Sequence, residues 1–179
     1  MNKEFIQWLN GLPAEQAEQQ FRKCCGASWW CQQMTKARPL QDQSELTNKA
    51  DQLFDQMSSD GWLEAFASHP KIGDLESLRM KLAGNRQWSS SEQSGMQQCD
   101  EETMIGLAEG NHEYQQRFGY IFIVCATGLS AAEMLSNLQS RLQNDDETEL
   151  KIAAAQQRKI THLRLAKLDV EPSQSQAQQ

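Results

Sequence analysis

Tyr120-Ile121-Phe122-Ile123-Val124-Cys125-Ala126 is a continuous apolar run whose reading decides the fold class. Such a run is a buried strand or a buried helix, and periodicity alone does not separate the two. A strand needs a partner, and no second strand-like run exists elsewhere in the chain. The run is therefore read as helix, and the chain as an all-α, single-domain bundle of about eight to ten helices.

Working outward, the flanking sequence reads the same way. Upstream, a long helix is expected from about Ser91 to Glu109, stopped by Gly110-Asn111, with His112 to Phe118 forming a further turn or two. Downstream, Ser130-Ala131-Ala132-Glu133 is a capping box opening a helix to about Gln143. Asp145-Asp146-Glu147 then favours the start of a last helix, reaching about Leu168, whose later turns carry Arg158, Lys159, Arg164 and Lys167. Ile152, Ile160, Leu163 and Leu168 mark its expected core side.

Nearer the N-terminus, Phe5 to Leu9 begins a short helix, and Pro13 leads into Ala14 to Cys25, with Gly26 as the expected C-cap. Ser28 to Lys36 is a third, ended by Arg38-Pro39. Ser44 is expected to cap the helix carrying Leu46, Ala50, Leu53, Phe54 and Met57, and Asp60 another that ends at His69-Pro70. Asp74 to Leu82 reads as helix and Gly84 to Ser89 as loop. The domain is placed at residues 1–170, and the Ser- and Gln-rich tail, 171–179, is expected to be disordered.

Composition narrows the function. A net charge of -7 in 179 residues argues against nucleic acid, which needs a basic face, yet leaves room for a small anionic ligand gripped by one arginine. No apolar run approaches the roughly 18 residues that span a bilayer, so no membrane role is expected. Met1-Asn2-Lys3-Glu4 leads into an amphipathic segment with Trp8 and not into a signal-peptide stretch, giving a cytoplasmic expectation. The five cysteines (24, 25, 31, 99 and 125) lack CxxC spacing and read as reduced, mostly buried thiols. No histidine pair has metal-ligand spacing, so no metal is expected.

Two short stretches hold capable side chains at helix boundaries. His69 sits before Pro70 in a loop, where it either serves acid–base chemistry or caps and packs against neighbouring aromatics. Glu92 follows Ser89-Ser90-Ser91 at a helix start. That pattern suits a polar-ligand site with Ser89 and Gln93, and equally suits ordinary capping. Arg164 either complements the last helix's dipole or reaches from the edge of an apolar stripe to grip a carboxylate. His162, two residues earlier, points about 200° away from it. His112 is expected to face solvent.

Five pieces recur in a fixed order: Cys24-Cys25-Gly26 with Trp29; Phe66-x-x-His69-Pro70 with Ile72-Gly73; Ser89-x-x-Glu92-Gln93; Asn111-x-x-Tyr114-x-x-Arg117-Phe118-Gly119-Tyr120-x-Phe122-Ile123-Val124-Cys125-Ala126; and Lys159-Ile160-x-x-x-Arg164-Leu165. Together they resemble the 2-oxo-4-hydroxy-4-carboxy-5-ureidoimidazoline (OHCU) decarboxylase family, over about residues 5 to 168. The resemblance implies His69, Glu92 and Arg164 as catalytic residues. It implies Pro70, Ser89, Gln93 and the backbone of Phe122, Ile123, Val124, Cys125 and Ala126 as substrate-binding positions. It further implies an all-α, cofactor-free homodimer that forms (S)-allantoin in urate breakdown. Lys71 and Asp74 depart from residues often found around the His-Pro element. The ending Gln178-Gln179 lacks a peroxisomal signal, which implies a bacterial-type cytosolic enzyme. The competing expectation is a non-enzymatic all-α module that binds a small molecule or a protein, with the same elements serving only as helix caps.

Overall fold

The computed structural model describes residues 3–69 and 101–168, the Glu101 side chain excepted. Every regular element among them is helical, and the chain is all-α. The helices are α1 Lys3–Gly11, α2 Ala14–Cys24, α3 Ser28–Lys36, α4 Gln43–Phe54, α5 Ser59–Ala67, α6 Glu101–Phe118, α7 Ala131–Arg141 and α8 Asp146–Lys167. Contacts divide the chain into two compact units, Met1–Ser68 with Arg158–Gln179, and His69–Gln157. The expected helix Asp74 to Leu82, the loop after it and the tail from Glu171 lie outside the described residues.

In the first unit α2 packs on α3, and α3 packs on α4 and α5. The join is aromatic. Phe21 meets Trp30 edge-on at 6.1 Å, Trp30 stacks on Phe54 at 5.1 Å, Phe54 on Trp62 at 5.3 Å, and Trp62 on Phe66 at 6.4 Å. All five rings are buried. Each buries a large apolar area, so this column carries much of the unit's packing energy.

Helix starts follow side-chain chemistry, with two shifts from expectation. Asp42, not Ser44, caps α4, accepting from Glu45 N, while Gln41 N donates to the Glu45 carboxylate. Ser58, not Asp60, caps α5 through Gly61 N. In each case an equally good capping side chain lay two residues upstream, and the one nearer the loop took the role. Gly26 is not a left-handed cap either; the α2 cap is the extended Cys25. A Cβ on Gly26 would lie 2.2 Å from Ser68 Cβ, so glycine is needed there for close approach.

In the second unit α6 packs on α7 around Met104, Leu107, Tyr114, Phe122, Met134 and Leu138. α6 runs straight through Gly110-Asn111, against expectation. Gly110 lies against α7, where a Cβ would come within 2.7 Å of Leu138 Cδ2, and Asn111 Nδ2 bonds back to Leu107 O inside the helix. The glycine is a packing device there. The stop comes at Gly119, whose φ of 78° glycine tolerates and other residues resist. The Ser130–Glu133 capping box forms as expected, and Asp145 holds the start of α8 through Thr148 N.

The apolar run is not a helix. Residues 121–126 are irregular, between Gly119 and a turn with Gly128 at φ 82°. No strand pairs with the segment among the described residues; side chains satisfy its backbone instead, as the candidate site shows.

Candidate active site

α8 belongs to both units, its residues up to Gln157 to the second and those from Arg158 to the first. Its buried positions are Glu149, Ala153, Gln157, Thr161 and Leu165, spaced by four and therefore on one face. This corrects the expected core side. Leu163 is 37% exposed, and Ile152 and Ile160 are only half-buried. Apolar character misled because three of the buried side chains are polar and hydrogen-bonded, which makes their burial tolerable.

Within the second unit, Arg141 and Glu149 form an ion pair, with Nη2 at 2.5 Å and Nε at 2.8 Å from one carboxylate oxygen. Tyr114 Oη donates to the same oxygen, and Asn144 Nδ2 donates to the other at 2.7 Å. Burial pushes the Tyr114 phenol far above its ordinary range, which keeps it a donor. Arg141 Nη1 also donates to Ile123 O at 2.8 Å, and its guanidinium lies 4.5 Å from the Phe122 ring centroid. Two residues on, Cys125 N donates to Gln156 Oε1 at 3.0 Å.

These bonds explain why the segment is not helical. In a helix, Ile123 O and Cys125 N would be used by the chain itself. Here two distant side chains take those roles, Arg141 for Ile123 O and Gln156 for Cys125 N. Phe122 and Ile123 are buried, whereas Val124, Cys125 and Ala126 are half-buried. Sequence reasoning missed Tyr114, Arg141, Glu149 and Gln156 as supports of this segment. The one available signal was an acidic residue, Glu149, on the last helix in register with its later buried positions.

His69 lies two residues beyond α5, half-buried, with Nε2 2.6 Å from Gln157 Oε1. Gln157 has no exposed surface. His112 is exposed and bonds to Gln116 one turn along α6. Pro70, Ser89, Glu92 and Gln93 lie outside the described residues.

In the first unit, Arg164 is half-buried and its Nη1 donates to Cys24 O at 3.3 Å; Thr161 Oγ1 reaches the same carbonyl at 3.4 Å. The Cys24-Cys25 step thus anchors the arginine on the side of α8 next to its buried face. His162 turns the other way, to Asp51 at 2.8 Å. Cys24, Cys25 and Cys31 are buried and free, and burial pushes their thiols up to about 12, about 11 and about 12. They are inert packing groups. Cys125 is free and half-buried, and Cys99 lies outside the described residues.

Among the described residues, no three His, Cys, Asp or Glu side chains cluster as metal ligands, and no helix is long and apolar enough to cross a membrane. The described polar groups suit proton handling and the orientation of a small polar ligand.

The family profile for OHCU decarboxylase matches residues 10–166, spanning both units. The chain belongs to the OHCU decarboxylase family. It is 39% identical over 157 residues to the uric acid degradation bifunctional protein TTL of Arabidopsis thaliana, covering 88% of this chain and 48% of that protein. The chain thus spans about half the length of that relative. It is 29% identical to the OHCU decarboxylase of Mus musculus, covering 73% of each. Among solved structures, an OHCU decarboxylase crystallised in the presence of (S)-allantoin is similar at 38% identity and TM-score 0.65, covering 82% of this chain and 94% of that one. A crystal structure of (S)-allantoin synthase, at 17% identity and TM-score 0.64, shares the fold.

Proposed function

We propose that this chain decarboxylates OHCU to (S)-allantoin in urate breakdown, without a cofactor. The observation that carries the proposal is the likeness, at 38% identity over 82% of this chain, to a decarboxylase crystallised in the presence of (S)-allantoin. Decarboxylases commonly draw on a cofactor as electron sink. OHCU contains its own, a ring C=N next to the carbon that bears the carboxylate and hydroxyl.

When the C4–carboxylate bond breaks and CO2 leaves, its electron pair becomes the C4–C5 double bond and the C=N pair moves onto nitrogen, which takes up a proton. The 4-hydroxyl then gives up its proton as the C4 carbonyl forms, and C5 is protonated on one face. Arg164 grips the carboxylate or a carbonyl, as a planar fork suits. His69 contacts the hydroxyl and takes its proton. Glu92, with Ser89 and Gln93, orients the ureido group and shares proton transfer at C5. Pro70 and the backbone of Phe122 to Ala126 complete the binding surface. A homodimer in the cytoplasm is part of the same reading.

The test is to add the protein to freshly generated OHCU and follow its loss together with the release of CO2 and ammonia. Accelerated loss with stoichiometric CO2 supports decarboxylation. Ammonia without CO2 would indicate a ureide hydrolase. An unchanged spontaneous rate would leave a binding module.

A further inference from the structure

We propose that Gln157 is a positioning residue that fixes the tautomer of His69, so that the neutral ring carries its proton on Nε2 and its lone pair on Nδ1. The proposal rests on the decarboxylase reading for its consequence in catalysis, though not for its geometry. Gln157 Oε1 lies 2.6 Å from His69 Nε2, across 88 residues of sequence. An amide oxygen accepts hydrogen bonds and never donates them, so the ring nitrogen facing it must be the N–H. In neutral imidazole only one nitrogen is protonated, and the other is the base.

The support for this bond is buried. Gln157 is completely buried on the inner face of α8, between Ala153 and Thr161, which are also completely buried. The neighbouring Gln156 uses its own amide oxygen to hold Cys125 N at 3.0 Å. Adjacent glutamines of one helix therefore hold two different parts of the candidate site, one the ring of His69 and the other the backbone at Cys125. The bond is shielded from water on the glutamine side, which strengthens the preference for the Nε2–H tautomer.

The consequence is a defined division of labour on the ring. Nε2 is committed to Gln157 as the N–H, which makes Nδ1 the basic nitrogen of the neutral ring. Losing the glutamine leaves the ring present but no longer held in one protonation pattern.

Nitrogen-15 NMR of the imidazoles of the intact protein reads this directly, at a pH where the ring is neutral. The chain has three histidines, and the His69 resonances are assigned by their loss in His69→Asn. The expected result is a protonated, pyrrole-type Nε2 and a pyridine-type Nδ1 in the wild type. Gln157→Met, close in shape but without the acceptor, is expected to mix the tautomers and lower kcat by about 10-fold with KM little changed. That loss is smaller than the about 10² to 10⁴ expected from removing the ring itself. A wild-type ring protonated on Nδ1 overturns the proposal and needs no variant to fold. So does a Gln157→Met protein with an unchanged tautomer. If the wild type shows the Nε2–H ring yet does not turn over OHCU, the decarboxylase reading fails and the tautomer assignment stands.

Discussion

Arg141 and Glu149 pair at 2.5 Å with almost no exposure of either, and the same guanidinium holds Ile123 O at 2.8 Å. One buried charge pair therefore ties α7 and α8 to the irregular segment 121–126, proposed to meet substrate. Removing one member of a buried pair strands the other, at a cost of about 3–5 kcal/mol. Arg141→Met is expected to destabilise the protein by that amount and to raise KM. Glu149→Gln, which keeps hydrogen-bonding atoms, should cost less. Urea denaturation of the two variants checks the order, and equal midpoints would contradict it.

The approach of Gly26 to Ser68 makes a second prediction. Gly26→Ala places a methyl group against Ser68 Cβ, not against the movable end of a long side chain. Overpacking of this kind costs about 1–3 kcal/mol. Ser68→Gly removes the clashing carbon, so the double variant should regain most of that loss in a double-mutant cycle. Additive losses would show that the two residues do not meet.

These two contacts show what was legible in the sequence and what was not. The all-α class, the Ser130 capping box and the Asp145 start are local chemistry, and each followed from a few adjacent residues. His69 was recognisable as a loop histidine before proline. Three other features depend on residues far away in the chain. The segment 121–126 is irregular, with Arg141 taking Ile123 O and Gln156 taking Cys125 N. α6 continues through Gly110 because Leu138 packs there. The buried face of α8 is partly polar because Glu149 and Gln157 find partners. Hydrophobic periodicity carries no information about such long-range satisfaction.

Alkaline pH is expected to weaken the first unit. The thiols of Cys24, Cys25 and Cys31 are raised from an ordinary 9.0 to about 12, about 11 and about 12, so the native protein keeps protons that the unfolded chain releases. Their contribution to stability is full below 9.0 and is lost as pH rises through about 11 to 12. The urea midpoint should fall above pH 9, and less steeply in Cys25→Ala. Because thiolate is the reactive form, these three sites should also resist iodoacetamide in the native state and react on unfolding. Native labelling of Cys24, Cys25 or Cys31, read by mass spectrometry, would contradict their placement.

His69→Asn should lower kcat by about 10² to 10⁴ while the fold persists. Arg164→Lys should also be damaging, because a point charge does not reproduce a planar fork. Circular dichroism separates lost activity from lost fold. Full activity in Arg164→Lys would reduce Arg164 to a structural partner of Cys24 O.

The central claim is stereospecific decarboxylation, and its most direct test is circular dichroism during urate oxidation. Urate oxidase and hydroxyisourate hydrolase generate OHCU in the cuvette, and this protein is then added. Rapid growth of an (S)-allantoin signal is the predicted result. Slow decay to racemic, signal-free allantoin with folded protein present would contradict the account.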